Sequence, residues 1–158
     1  MDHKIVEKDE FFVIGMPIKV SLKEPNYPAR LKDSWNAFVP RLQEIKNRSG
    51  DLFYGLCNVA EGIEGDDCSF EHIAGVEVKD DGFVPEGMKL QKVPAAKYFV
   101  VTHKGNISKV GETYCALEEE FKKLNLVEDK SKIFFELYDD RFHEDSDDSE
   151  HDIYTALK

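Results

Sequence analysis

Apolar and polar positions along this chain fall into an order that occurs twice, over roughly residues 3–80 and again over roughly 88–158. Each stretch opens on an apolar run rich in β-branched and aromatic side chains: Phe11-Phe12-Val13-Ile14-Gly15 in the first, Lys97-Tyr98-Phe99-Val100-Val101-Thr102 in the second. Such runs predict largely buried strands. Next come apolar residues spaced by three or four, Leu31, Trp35, Phe38, Leu42 and Ile45, then Ile107, Val110, Tyr114, Leu117, Phe121 and Leu124. That period marks one stripe of a helix packed on a sheet. The third elements are strands, Leu52-Phe53-Tyr54-Gly55-Leu56 and Ile133-Phe134-Phe135-Glu136-Leu137-Tyr138, entered from Ser49-Gly50-Asp51 and from Asp129-Lys130-Ser131. Closing strands follow at 70–78 and 152–157. The expectation is an α+β fold, a tandem β-α-β-β repeat with pseudo-twofold symmetry, an antiparallel sheet, two main helices and a cleft along the axis. Concave seams of this kind are favoured places for a small ligand.

Composition narrows the class. A chain of 158 residues with 41% hydrophobic content can bury one good core, so a single domain spanning 1–158 is expected, with the two pseudo-repeats sharing that core. The chain lacks an apolar run of about 18 residues, the length a membrane helix needs. Met1-Asp2-His3-Lys4 lacks the basic-then-apolar signature of a signal peptide. Cys57, Cys68 and Cys115 are odd in number and scattered, which suits a reducing compartment and argues against a disulfide framework or a zinc knuckle. A cytoplasmic protein without membrane contact and without metal or other cofactor is expected. Lys and Arg total 21 against 32 Asp and Glu, a formal charge of −11. Phosphate neutralisation needs the opposite sign, so direct nucleic-acid binding is disfavoured. Cationic ligands or basic protein surfaces would be attracted. The densest acidic stretch, 139–152, matches neither an EF-hand loop nor an H-E-x-x-H site and reads as a solvated hairpin joining the last two strands.

Glu136 is the residue that most needs explaining. A carboxylate within Phe134-Phe135-Glu136-Leu137-Tyr138 is costly unless paired, protonated or solvated. Strand alternation puts Phe134, Glu136 and Tyr138 on one face. Glu136 either faces water on a half-exposed sheet or forms the acidic floor of an aromatic cleft that would suit a flat hydrophobic cation. Aligning Phe53-Tyr54 with Phe135-Glu136 directs Tyr54 into the same seam. Trp35 and Tyr114, on the two helix stripes, and His103, at a strand end, are further candidates; for each, packing or simple solvation is the competing reading. Tyr154 and His72 are weaker ones.

The strings Phe135-Glu136-Leu137-Tyr138-Asp139 and Ser149-Glu150-His151-Asp152-Ile153-Tyr154 resemble the GyrI-like small-molecule-binding family. So do Tyr54-Gly55, Gly75-Val76-Glu77-Val78, Gly87-Met88, Val93-Pro94-Ala95-Ala96-Lys97-Tyr98 and Thr102-His103-Lys104-Gly105, which extend the resemblance over nearly the whole chain. That family also supplies effector-binding domains to AraC-type and MerR-type transcription regulators. The resemblance implies duplicated β-α-β-β (SHS2-like) modules, with hydrophobic, often cationic aromatic compounds held in the central cleft. It also implies that Glu136 is the acidic contact. The ligand-binding unit begins within the first few residues, so the chain resembles stand-alone members and transcription-factor activity by it alone is not expected. Among such members, some hydrolyse electrophilic cyclopropane-bearing compounds, a chemistry in which Glu136 would be the general base. Others are linked to protection of DNA gyrase, so a protein partner such as gyrase or a regulator is conceivable, and the chain would be a monomer or weak dimer. The ending Thr155-Ala156-Leu157-Lys158 departs from the Ile-Pro-Ile type of many relatives.

Overall fold

The computed structural model describes residues 1–59 and 68–158. Its strands are β1 (Lys4–Lys8), β2 (Phe11–Ser21), β3 (Arg48–Asn58), β4 (Ser69–Val78), β5 (Lys89–Val93), β6 (Ala96–Lys104), β7 (Phe134–Tyr138) and β8 (Glu150–Ala156). They form one antiparallel sheet in the order β1-β6-β8-β7-β3-β4-β2-β5. Helix α1 (Tyr27–Phe38) lies between β2 and β3, and α2 (Val110–Leu124) between β6 and β7. The order reads alike from both ends: β6-β8-β7 on one side meets β3-β4-β2 on the other, and the junction between β7 and β3 is the centre of the sheet. Two edge strands, β1 and β5, add to the expected β-α-β-β pattern. Each pairs outside its own half, β1 on β6 and β5 on β2. They are five-residue segments, KIVEK and KLQKV, too short and too charged to register as strands in the hydropathy pattern.

The helices begin and end as their sequences require. Pro28 sits in the first turn of α1, where its missing N–H leaves no bond unmade. At Val39-Pro40 the chain tightens into a 3-10 helix, Val39–Glu44, because a proline cannot continue the α-helical ladder. The apolar stripe read from Leu31 to Ile45 thus spans two helical segments. Helix α2 stops at Asn125, which takes the left-handed conformation (φ 55°), and Leu126 N–H closes the turn on the Phe121 carbonyl at 2.9 Å.

Both helices lie on one face of the sheet. Phe38 and Ile45 pack there over Ile14, Ala74 and Val76, while Leu117 and Phe121 of α2 cover Phe99, Val101 and Ile153. Their clusters leave the central strands β3 and β7 between them. The opposite face closes by curling on itself around Phe11, Tyr54, Tyr98 and Phe135. Phe11 on β2 and Phe135 on β7 have two strands between them. On a flat sheet they would be about 14 Å apart, yet their ring centroids are 5.7 Å apart.

Curvature this strong needs a place where backbones can touch. Gly15 and Gly75 are cross-strand partners, and a Cβ at Gly15 would lie 2.2 Å from the Ala74 carbonyl oxygen. Two glycines facing each other let β2 and β4 approach closely at the bend. Substituting Gly15 with Ala should therefore lower unfolding free energy by about 2–3 kcal/mol in urea titrations, a loss that a flat strand pair at this position would not show.

Candidate functional site

Strand β7 carries an isolated acid between aromatic residues, and its pleat turns Phe134, Glu136 and Tyr138 toward the helices while Phe135 turns fully into the opposite core. In the sheet Glu136 lies between Gly55 on β3 and Ile153 on β8. Only 15% of its side chain is exposed. Tyr114, reaching down from α2, donates its hydroxyl to Glu136 Oε1 at 2.7 Å, and Tyr138 donates to Oε2. His151 on β8 brings Nε2 to 3.4 Å from Oε2 and stacks its ring on Tyr138, centroid to centroid 4.8 Å.

From the other helix, Trp35 stands edge-on to Tyr138 at 5.6 Å, to His72 at 6.2 Å and to Phe53 at 6.2 Å. These rings converge where the sheet has no side chain. A Cβ on Gly55 would lie 3.1 Å from His72 Nε2, 3.5 Å from Tyr138 Cε2 and 3.7 Å from Trp35 Cζ2. Phe142, from the connection between β7 and β8, closes over Tyr138 at 4.9 Å. Arg141 anchors that connection, with its guanidinium 2.9 Å from both Asp139 and Asp152. Lys32 of α1 meets Glu144 at 3.0 Å. At the rim, Asp51, Leu52, Phe53, Asp139 and Asp140 line a shallow depression.

Burial by itself would push the Glu136 carboxyl up, but the electrostatic pull of His151, 3.4 Å away, with the hydroxyls of Tyr138 and Tyr114, holds it down at about 2. It is an anion at neutral pH. Burial and that anion push both phenols, Tyr114 and Tyr138, well above their ordinary value, so they remain donors. Burial likewise lowers His72 to about 4, against the opposing pull of Glu136, and leaves it neutral. The Cys57 thiol is raised by burial and so is not a nucleophile. The seam therefore offers a fixed negative charge, phenol donors and ring faces.

The structure brings together three of the residues expected at the site: Glu136, Tyr114 and Trp35. It does not bring Tyr54 to them. In the register of β3 and β7, Tyr54 faces Leu137 and Gly55 faces Glu136. A one-residue offset turns a strand side chain to the other face, and Tyr54, 3% exposed, packs there on Phe11 and Phe135. Tyr154 lies on that same face, stacked on Phe135 at 4.6 Å. His103 is a buried neighbour of His151, its ring held by Thr113 Oγ1 at 2.6 Å and by the Asn106 carbonyl at 3.0 Å. His72 proves to be part of the seam. Tyr138, His151, Phe142 and Gly55 escaped the sequence reading as site residues, although the alternation that placed Glu136 already put Tyr138 beside it. The acidic hairpin is only partly solvated, since Ser149 and His151 are buried and Phe142 turns inward.

A curled antiparallel sheet with two helices on one face is the architecture of a GyrI-like effector-binding domain. The chain belongs to the family of integron-associated effector binding proteins (Cass2), whose model matches residues 4–157. It is 35% identical over 159 residues to the transcriptional regulator BrlR of Pseudomonas aeruginosa, covering 99% of this chain and 56% of that protein. The chain thus spans about half the length of the curated relative it matches. In fold it is similar to SAV2435 bound to tetraphenylphosphonium, with a TM-score of 0.73 at 18% identity, covering 100% of this chain and 94% of that one. It is similar also to an integron cassette protein from the mobile metagenome of Vibrio cholerae, with a TM-score of 0.68 at 18% identity, covering 99% and 95%. Binding a small-molecule effector is the function that this family indicates. No helix among the described residues is long and apolar enough to cross a membrane.

Acid sensitivity follows from two groups. His72 sits at about 4 in the fold against 6.5 unfolded, so the unfolded chain takes up its proton first. Its share of stability is complete above pH 6.5 and is lost down to about 4, on the order of 3 kcal/mol. Glu136, at about 2 against 4.5, contributes fully above pH 4.5 and loses that contribution as pH falls toward 2. Urea unfolding across this range should show both losses, and His72→Asn should flatten the first while the second persists.

Proposed function

We propose that the seam binds hydrophobic cations with aromatic faces, with Glu136 as counter-charge and Trp35, Tyr114 and Tyr138 as the surfaces that hold the rings. The observation that carries this reading is an ionised carboxylate, 15% exposed, set among ring systems contributed by both helices and the central strands. A bound cation gains from the charge at low local dielectric and from the π faces, both stronger than in water. The overall charge of −11, with Asp51, Asp139 and Asp140 at the rim, favours entry of a cation. The fold shared with a protein holding tetraphenylphosphonium supports the same ligand class.

Two phenol hydroxyls occupy the carboxylate, so a cation exchanges with them or joins them. The ring packing over Glu136 has to open by side-chain rotation, for which Phe142 and Tyr138 at the mouth are placed. A carboxyl held near 2 is a poor proton acceptor at neutral pH, which weighs against Glu136 as the base of a hydrolase.

Titrating tetraphenylphosphonium into the protein while following Trp35 emission tests the reading. Saturable binding is expected, weakened about 10–100-fold by Glu136→Gln, the equivalent of losing about 1.5–3 kcal/mol from a charged contact. Equal affinity in wild type and Glu136→Gln would refute the role of the carboxylate. Mass spectrometry of electrophilic cyclopropane compounds incubated with both forms should find them unchanged; turnover that depends on Glu136 would replace binding by hydrolysis.

A further inference from the structure

His151 is the least explained polar group of the seam. It is 0% exposed, and neither of its ring nitrogens makes a hydrogen bond, though buried imidazole nitrogens are ordinarily paired. Its one polar approach among the described residues is Nε2 to Glu136 Oε2, at 3.4 Å. The surrounding groups supply nothing else. Tyr138 on β7 stacks on one side of the ring, and its hydroxyl is given to Glu136. Phe142 of the β7–β8 connection meets it edge-on at 6.1 Å, and Arg141 beside Phe142 is turned to Asp139 and Asp152. On β6, His103 is 5.2 Å away, with both nitrogens occupied by Thr113 and the Asn106 carbonyl. From α2, Tyr114 reaches Glu136 and not the imidazole. Of the seam's other titratable groups, His72 is on β4 and Cys57 on β3, both beyond β7 from His151 in the strand order. Among the described residues Glu136 is thus the sole counter-charge an imidazolium at position 151 could have.

We propose that His151 is a further residue of the ligand site, acting through Glu136: a cation that binds at the carboxylate displaces a proton from His151 Nε2 to solvent. This rests on the cation reading above. With Glu136 engaged by a cation, an imidazolium would sit a few ångströms from a like charge, in a buried position with no remaining partner, and it deprotonates. In the other direction, a protonated His151 neutralises the carboxylate and turns the cation away. His151 is a positioning residue in this scheme. It sets when the carboxylate is available, and it makes the seam discriminate charge: cations compete with the proton, and neutral molecules of the same shape do not.

Isothermal titration of the full chain with tetraphenylphosphonium from pH 5 to 8.5, in buffers of different ionisation enthalpy, measures both affinity and protons released. The association constant should rise up to tenfold per pH unit across the imidazole range and then level off, with up to one proton released on its lower side. His151→Gln should remove both the slope and the proton release. Neutral triphenylphosphine oxide should show no slope. Imidazole NMR of the ligand-free protein supplies a second readout: His151 should titrate at lower pH in Glu136→Gln than in wild type. Binding with a flat pH profile, a slope that survives in His151→Gln, a matching slope for the neutral compound, or a His151 titration indifferent to Glu136→Gln would each overturn the exchange while leaving the cation reading in place. Absence of tetraphenylphosphonium binding at every pH, with the NMR coupling intact, would overturn the cation reading and the exchange with it.

Discussion

A carboxylate placed near the centre of a sheet is the constraint around which the rest of this molecule is organised. An ion removed from water loses several kcal/mol of solvation unless the protein replaces it. Glu136 is repaid by groups drawn from three separate elements: Tyr114 from α2, Tyr138 from its own strand and His151 from β8. None of these can move far without exposing the charge or leaving it unpaired. The cost falls in the seam that we propose as the binding site, which is where a desolvated charge is most useful to recognition.

The architecture separates the closed core from the proposed binding seam by face. The closed face buries Phe11, Tyr54, Tyr98 and Phe135 in an apolar cluster contributed by strands from both halves, and its curl rests on the close approach at Gly15 and Gly75. The helix-bearing face is divided, each helix covering its own cluster and leaving β3 and β7 as a seam. A side chain on Gly55 would fill that seam from below, so its absence is what allows His72, Tyr138 and Trp35 to come together above the backbone. Phe135 and Glu136 show the division at its sharpest: adjacent residues on β7, one fully buried in the structural core and the other the charged centre of the seam.

Much of this was readable before any coordinates. The 3.6-residue stripes located both helices, including Trp35 and Tyr114, and Glu136 stood out as an acid in an apolar strand. The edge strands were not readable, because β1 and β5 are short, charged and buried on one side at most, and they take on strand structure only by pairing with the other half of the sheet. Tyr54 was misplaced for a simple reason: it was matched to Glu136 by residue type, whereas in the sheet Gly55 lies opposite Glu136 and Tyr54 opposite Leu137, and one residue is the whole difference between faces. His151 gave no signal, since a histidine in an acidic, hydrophilic stretch reads as solvated until β8 is seen to carry it inward.

The linear order of residues therefore settles those features that arise from local periodicity: which segments become helices and long strands, which side of each is apolar, and that one acid lies among aromatics. Tertiary structure decided how those segments meet. The pairing of β7 with β3 and β8 selected Gly55, Ile153 and His151 as the neighbourhood of Glu136, and the helix positions brought Tyr114 and Trp35 over it. These contacts join residues far apart in the chain, and strand register, which sets them, is an outcome of packing the whole sheet. No local pattern encodes it.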